Sequence, residues 1–431
     1  MGSLAGGAFR SLSNRNFRLW VGSSLFSNIG TWMQGTAQNW LVLTELTDHS
    51  ASAVGLITAL QFLPQLLLVA ITGSLADHVD RRKLLIAVQS CLGVIAMLLG
   101  IATISGHVQL WHVYMFGFLL GCGMAFDSPA RHSFISELVG EEGIGNAVAI
   151  NSTAFQLART AGPAMAGLCI ALVGTGWVFI LNGLSYIAVI TGLLRIQVKD
   201  LHRDEEEGEG RGARGQMRLL DGFRYVRERP DLRTVFLMLF FMGALGMNFG
   251  IFISVMSVTV FHKGASEYGA LISVMAIGSV IGALMAARRD RPRMQHLIGG
   301  TFLFGCSMTL AALSPSYLAF ALVLLAVGLS VQTMNTSANG FVQLSTARAM
   351  RGRVMAIYVA IMLGGLPIGA PLVGWVADHF GARAAMGLGA CAGFASTVIG
   401  LAYLVRVRGL RLHRVEGRLR VSIRPDPYQP T

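Results

Sequence analysis

The sequence predicts an all-α membrane protein: twelve transmembrane helices in two six-helix, pseudo-symmetric halves. Three observations predict it. The first is composition: of 431 residues, 53% are hydrophobic and only 13% charged, with a mean hydropathy of +0.59, whereas soluble domains carry about a quarter charged residues. This excludes a disordered chain, and it leaves too few polar side chains for the surface of a soluble fold. The second is a series of apolar runs of membrane-spanning length, most lacking the polar stripe that a soluble surface helix needs. The third is the alternation of basic residues between successive loops.

A bilayer core about 30 Å thick takes roughly 20 apolar residues per helix. In chain order the runs of the first half are Leu19–Leu43, Ala53–Leu75, Leu84–Ile104, Leu110–Ser128, Ala147–Val173 and Trp177–Leu194. Those of the second half are Val235–Val260, Tyr268–Ala287, Leu297–Leu313, Tyr317–Gly340, Val354–Ala377 and Ala384–Val405. Pro64, Pro163, Pro367 and Pro371 fall inside runs, which membrane helices tolerate better than soluble ones. The first run is too long for a signal peptide and lacks a small-residue cleavage site, so it is expected to remain as a span.

Basic residues cluster on the inner side of membrane proteins. With the amino terminus inside, all but three of the 34 Lys and Arg residues fall in inward loops or tails; Lys263 and Arg383 face outward and Arg159 lies within a span. The net charge of +12 is therefore a topological signal and not a nucleic-acid footprint. Both termini are placed in the cytoplasm of a multi-pass inner-membrane protein. The domains follow: 1–196, a six-helix half; 197–230, a cytoplasmic loop; 231–405, the second half; 406–431, a basic tail. Within the loop, Leu219, Leu220, Phe223 and Val226 recur at helical spacing among arginines, as in an amphipathic helix on the inner membrane face or a solvated linker helix.

The halves read as repeats. Gly145–Gly167 aligns without gaps on Gly352–Gly374, with identities at Gly145/Gly352, Ala149/Ala356, Ile150/Ile357, Gly162/Gly369 and Gly167/Gly374, which pairs span five with span eleven. Cys91, Cys122, Cys169, Cys306 and Cys391 all lie within spans and are expected as free thiols. No metal-ligand spacing, catalytic constellation or phosphate-binding loop occurs, so neither an enzyme nor a cofactor is expected.

After span two the chain reads Gly73-Ser-Leu-Ala-Asp77-His-Val-Asp80-Arg81-Arg82-Lys83. Gly73 permits close helix approach, and Asp77 at a helix end can pair with Arg81 or Arg82 and with a neighbouring helix amino terminus; the basic trio also stops translocation. This loop resembles the cytoplasmic signature of the major facilitator superfamily. Its second-half counterpart, Gly282 to Arg291, has Ala286 in place of the acid. Asn39-Trp40-Leu41-Val42, Pro129-Ala130-Arg131, Glu137-Leu138-Val139, Asn146-Ala147-Val148-Ala149, Leu157 to Ala164 and Gly352-Arg353-Val354-Met355 narrow the resemblance to the transmembrane secretion effector branch, that of the enterobactin exporter and drug efflux pumps, over about residues 9 to 408. Arg159, Gly162, Pro163 and Gly167 resemble the antiporter signature of span five. Two positions depart from the pattern: span four has Gly117-Phe-Leu-Leu-Gly121 where an Arg is usual, and Gly30 is followed by Thr31 where related pumps carry Asp.

The resemblance implies the major facilitator fold and a cavity lined by spans one, four, seven and ten. Candidate lining residues are Asn28, Trp32 and Gln38 in span one, Phe241 and Asn248 in span seven, and Gln332, Asn335 and Asn339, spaced i, i+3, i+7, in span ten. Each is also the kind of residue that makes an interhelical hydrogen bond or packing contact. Gly73, Asp77, Arg81, Arg82, Asp127 and Arg131 form a candidate conformational latch, although Asp127 and Arg131 also have intrahelical i, i+4 spacing. Arg159, about 20 Å along its helix, costs a few kcal/mol in the bilayer unless it faces a wet cavity or a partner; it either contacts an anionic group or holds helices in register. The expected function is export of amphipathic small molecules, a drug or siderophore-like metabolite, in exchange for protons and as a monomer. An importer or lipid flippase on the same fold, or a non-transporting sensor, are the alternatives.

Overall fold

The structure, a computed structural model, describes residues 9–140, 143–202, 221–288, 293–409, 411–415 and 418–422, with the backbone alone at 69–70, 73–74, 76–78, 287 and in the two terminal strands. In chain order the helices are α1 (Arg15–Trp40), α2 (Ala51–His78), α3 (Arg81–Ile104), α4 (Leu110–Val139), α5 (Ile144–Val173) and α6 (Thr175–Arg195), then a short α7 at 221–228. They continue with α8 (Pro230–Phe241), α9 (Phe249–Val255), α10 (Ala265–Ala287), α11 (Met294–Ala312), α12 (Tyr317–Ser345), α13 (Arg351–Phe380) and α14 (Ala382–Arg406).

Ten of these segments are long and apolar enough to cross a membrane, with Pro230–Val260 counted as one. The twelve runs expected from sequence include two that are not among them. α1 is 26 residues long but carries Asn28, Gln34, Gln38 and Asn39, and α11 opens with Gln295 and His296. The all-helical expectation also meets an exception in the tail, where Arg411–Val415 and Arg418–Ser422 pair as an antiparallel hairpin, Leu412 opposite Val421. Its second strand, Arg418-Leu-Arg-Val421, has the period of two that favours strand over helix, while in the first, Arg411-Leu-His-Arg-Val415, the apolar residues stand three apart.

Local signals set the helix ends. Asn14 and Ser50 accept hydrogen bonds from Phe17 N and Ala53 N at 3.1 and 3.2 Å, and the Asp80 carboxylate accepts from Lys83 N at 3.0 Å, each satisfying an orphan first-turn donor. Gly174 and Gly381 end α5 and α13 with φ of 91° and 88°, a conformation open to glycine at little cost.

The chain divides into two compact units: Met1–Arg211 with Ile253–Ala276, and Gly212–Phe252 with Ile277–Thr431. In unit 1, α1 packs on α5 and α6, α3 on α4 and α6, and α2 on α4. At one end Phe17, Trp20, Leu85, Phe134, Leu138, Val189 and Leu193 form a shared core, with Trp20 edge-on to Phe134 at 5.4 Å. In unit 2, α8 and the turn following it pack on α13 and α14, and α11 on α12 and α14. A β-carbon at Gly278 of α10 would meet the Leu325 carbonyl of α12.

The aligned repeat extends beyond its identities. α5 and α13 are both 30 residues long, both end at a left-handed glycine, and each is followed by its partner helix one residue later. The equivalent glycines make equivalent contacts. A β-carbon at Gly162 would lie 2.6 Å from Trp32 Cβ and 3.0 Å from the Ile29 carbonyl of α1; one at Gly369 would collide with the Ala244 backbone after α8.

The seventh run, read as continuous from Val235 to Val260, is interrupted. A wide, π-type turn at Met242–Gly246 follows α8, the helix breaks at Met247–Asn248, and α9 ends in a second such turn at Met256–Val260. Asn248 Nδ2 donates to the Ala244 carbonyl at 2.7 Å, while Gly365 and Gly369 press on the same turn. α1 ends likewise in a π-type turn, Leu41–Glu45. Past these turns His49 and His262 adopt φ of 61° and 50°, a matched pair that the sequence comparison does not reveal.

Gly162→Leu and Gly369→Leu are each expected to destabilise the protein by about 1–3 kcal/mol through overpacking. Gly145→Ala, where no atom lies within 4 Å of the new β-carbon, is expected to be neutral or slightly stabilising. Thermal unfolding of the purified variants in detergent checks the contrast.

Candidate functional site

Three polar clusters stand out against the apolar background. The first is at the end of unit 1 where α2 passes into α3. Gly73 and Asp77 are described by their backbone alone, so their part in the latch is not placed. Arg81 Nη1 donates to Glu137 Oε1 of α4 at 2.7 Å, with the two side chains 18% and 7% exposed. Arg82 Nε donates to the Leu193 carbonyl at 2.7 Å and Nη2 to that of Leu194 at 3.1 Å, binding the carbonyl end of α6, where a cation is favoured. Asp127, buried in α4, accepts from Gln89 Nε2 of α3 at 2.6 Å and from Arg131 Nε at 3.0 Å. Arg131 in turn sits 5.2 Å from the Trp20 ring centroid. The structure thus ties Arg81 to Glu137 of α4 and Arg82 to the end of α6, while Asp127 with Arg131, roughly 9–15 Å further into α4, joins α4 to Gln89 of α3 and Trp20 of α1.

Glu137 figures in the sequence only within the family-like stretch Glu137-Leu138-Val139 and has no place in the candidate latch. It stands ten positions beyond Asp127, outside the run that carries the motif, and only helix packing brings it to Arg81. Its backbone carbonyl also accepts from His202 N at 2.8 Å, which ties down the chain after α6.

The second cluster lies in unit 2, where the acid expected at the α10 loop is replaced by Ala286. A different clasp joins the start of α8 to the end of α12. Arg229 Nε and Nη2 donate to both carboxylate oxygens of Asp231 at 2.9 and 2.7 Å, the fork geometry that suits a carboxylate. The Asp231 side chain is fully buried. Arg229 Nη2 also donates to the Ser345 carbonyl at the end of α12 at 2.9 Å, and Nη1 to the Tyr225 hydroxyl at 3.0 Å. α7, the helix expected in the central loop, brings Tyr225 into place: Gly222 lies against Arg353 and Ile357 of α13, and Arg353 pairs with Asp221 at 3.4 Å. Leu219 and Leu220 of that expected helix lie outside the described residues.

The third cluster is deep. Arg159 lies near the middle of α5 with its guanidinium 5.9 Å from the Trp32 centroid, and Trp32 meets Phe155 edge-on at 5.8 Å. Gly162 brings α5 onto α1 beneath this group. On another side of α5, a β-carbon at Gly167 would lie 2.5 Å from the Ala265 carbonyl, Ser266 Oγ donates to the Gly167 carbonyl at 3.3 Å, and Ser273 Oγ to that of Thr160 at 2.6 Å. Beside Pro163, whose carbonyl faces Gly269, α5 therefore packs backbone to backbone against the start of α10.

The other candidate cavity residues fall into two groups. Asn28, Trp32, Phe241, Gln332, Asn335 and Asn339 are partly exposed, and the last three share one face of α12. Gln38 and Asn248 are 2% and 3% exposed: Gln38 points to Gly117 of α4 and Asn248 serves the helix break, so neither lines an open surface. Met238 and Phe252 are buried packing residues.

Truncating one member of a buried charged pair strands the other. Asp231→Ala is expected to destabilise by about 3 kcal/mol or more. Glu228→Ala, which breaks a pair whose side chains are 84% and 68% exposed, is expected to change stability by less than about 0.5 kcal/mol. For Arg81 and Glu137, a double-mutant cycle to Gln is expected to give a coupling of about 0.5–3 kcal/mol; additive single effects would mean the pair is idle. Chemical or thermal denaturation measures all three.

Comparison with known proteins places this geometry. The family model described as transmembrane secretion effector matches residues 6–416. The staphyloferrin A transporter of Staphylococcus aureus (strain NCTC 8325 / PS 47) is 25% identical over 83% of this chain and 89% of its own length. The multidrug efflux pump Tap of Mycolicibacterium fortuitum is 27% identical over 84% and 89%, and the enterobactin exporter EntS of Citrobacter koseri 23% identical over 86% and 88%. In fold, the chain resembles a bacterial homologue of the iron transporter ferroportin, with a TM-score of 0.72 and 11% identity over 90% of this chain and 98% of that one. It also resembles a bacterial homologue of the human lysosomal transporter Spinster, at 0.70 and 15% over 90% and 95%. A multi-pass transporter and not an enzyme, the chain belongs to the transmembrane secretion effector family of the major facilitator superfamily.

Proposed function

We propose that the chain is a secondary active exporter of the inner membrane, moving amphipathic small molecules outward by alternating access in exchange for protons. In this reading α1–α6 are six spans, α8 with α9 is the seventh, and α10–α14 complete twelve. The halves 1–196 and 231–405 are joined by the cytoplasmic loop 197–230, the basic tail 406–431 follows, and both termini are cytoplasmic. The observation that carries it is the common frame of α5 and α13, with the same length, the same glycine end and the same glycine contact on the first helix of each set. Duplicated halves of this kind are the architecture on which rocking about a midplane site operates. α1 is polar for a span, but its 26 residues reach about 39 Å.

The cargo reading rests on the relatives, whose names specify staphyloferrin A, enterobactin and multidrug efflux. A drug or a siderophore-like metabolite fits the mixed polar and aromatic faces at Asn28, Trp32, Gln332, Asn335 and Asn339. Gly73, Asp77, Arg81, Arg82, Asp127 and Arg131 act as the inner latch, and Arg159, Gly162, Pro163 and Gly167 as the antiporter-like element, in a transporter working as a monomer. Asp77, Asp127, Glu45 and Asp48 are the proton-carrying candidates.

Purified protein in vesicles with an imposed pH gradient tests the reading. Loaded amphipathic dye is expected to leave faster with the gradient than without it, and Asp77→Asn is expected to slow that efflux at unchanged expression. Efflux indifferent to the gradient removes proton antiport; full rates in Asp77→Asn remove the latch.

A further inference from the structure

A lipid-facing helix needs one apolar face, and α5 has two exposed faces of different chemistry. Leu157, Met165, Leu168 and Leu172 are exposed and share a side suited to acyl chains. Val148, Ser152, Phe155 and Arg159 follow at helical spacing on roughly the opposite side. Val148 and Phe155 are 47% and 44% exposed, Ser152 is exposed and Arg159 is half-buried. A charge on the non-lipid side of a membrane helix marks an aqueous or ligand-filled interior.

α1 contributes to the same place. Its half-buried Asn28, Trp32 and Asn39 repeat at i, i+4 and i+11, and Trp32 touches both aromatic and cation across the helix pair. A guanidinium within about 6 Å of an indole centroid is attracted to the ring face and keeps its charge.

We infer that Arg159, Trp32 and Phe155 form an anion subsite for the cargo, a deepening that rests on the exporter reading. Arg159 takes a carboxylate or similar two-oxygen anion through parallel N–H···O bonds, and the apolar body beside that anion lies against Trp32 and Phe155. The planar fork of Arg suits this better than a point charge would. The subsite makes the carrier select amphipathic anions over cations of equal size.

The test uses the full chain in nanodiscs and two probes with the same ring and opposite charge, pyrenebutyrate and pyrenebutyltrimethylammonium. Binding is read by energy transfer from protein tryptophan, against protein-free discs. Wild type is expected to prefer the anion, Arg159→Gln to reduce the anion-to-cation affinity ratio by about tenfold, and Arg159→Lys to reduce it less. A ratio unchanged in Arg159→Gln, or a wild type without anion preference, overturns the subsite; an Arg that merely holds helices in register would lower both affinities alike and leave the ratio intact. If the Gln variant fails to fold, the Lys variant decides: an anion affinity equal to wild type overturns the fork. Equilibrium binding is separate from transport. Anion binding without vesicle efflux sinks the exporter reading and spares the subsite, and dye efflux with a ratio indifferent to Arg159 does the reverse.

Discussion

Helices surrounded by lipid gain little by hiding apolar side chains from one another, because lipid tails are as apolar as leucine. What remains is closeness of fit, and the fold depends on it where α1 meets α5 and where the segment after α8 meets α13. At both places a glycine lets one backbone rest on another. Gly162 on Ile29 and Trp32, and Gly369 on Ala244, are the same contact made twice. The remaining pairings within each unit then follow a common plan. Pro163 and Gly167 add a second contact surface to α5, so that one helix serves α1 on one side and α10 on another.

Charge is handled by a different rule. Among the described residues, Arg81, Arg82, Glu137, Arg229 and Asp231 sit at or near helix ends, and Asp127 with Arg131 lies about two to three turns further in, where Gln89 and the Trp20 ring share the load. Arg82 on the end of α6, Arg131 over Trp20 and Arg229 on the end of α12 each combine a carboxylate, a carbonyl or an aromatic face. The two units solve this with different residues. Unit 1 uses the motif loop and Glu137. Unit 2, with Ala286 in the motif position, uses Arg229 and Asp231, braced by α7.

Much of this was legible in the sequence. Apolar length marked the ten segments long and apolar enough to cross a membrane, and the ungapped match of Gly145–Gly167 on Gly352–Gly374 marked two helices that share their length and their left-handed glycine end. What escaped detection depended on long-range packing. Glu137 meets Arg81 across 56 positions, and no local pattern announces that. The break in the seventh run escaped because Gly243, Gly246 and Asn248 read as ordinary span residues; it forms where Asn248 takes up the Ala244 carbonyl and α13 presses on the turn. Gln38 escaped in the opposite sense, since a polar residue in a membrane helix resembles a cavity residue until a neighbouring glycine makes room to bury it.

The polarity of α1 has a consequence for how the protein is made. Asn28, Gln34, Gln38 and Asn39 give this helix little affinity for lipid on its own, and translocation machinery weighs each emerging segment by that affinity. The partner that bonds Gln34 is Asn182, 148 residues further along the chain. An earlier helix is thus completed by a later one. During synthesis α1 has to be sheltered, at the insertion site or against its first neighbours, until α5 and α6 arrive.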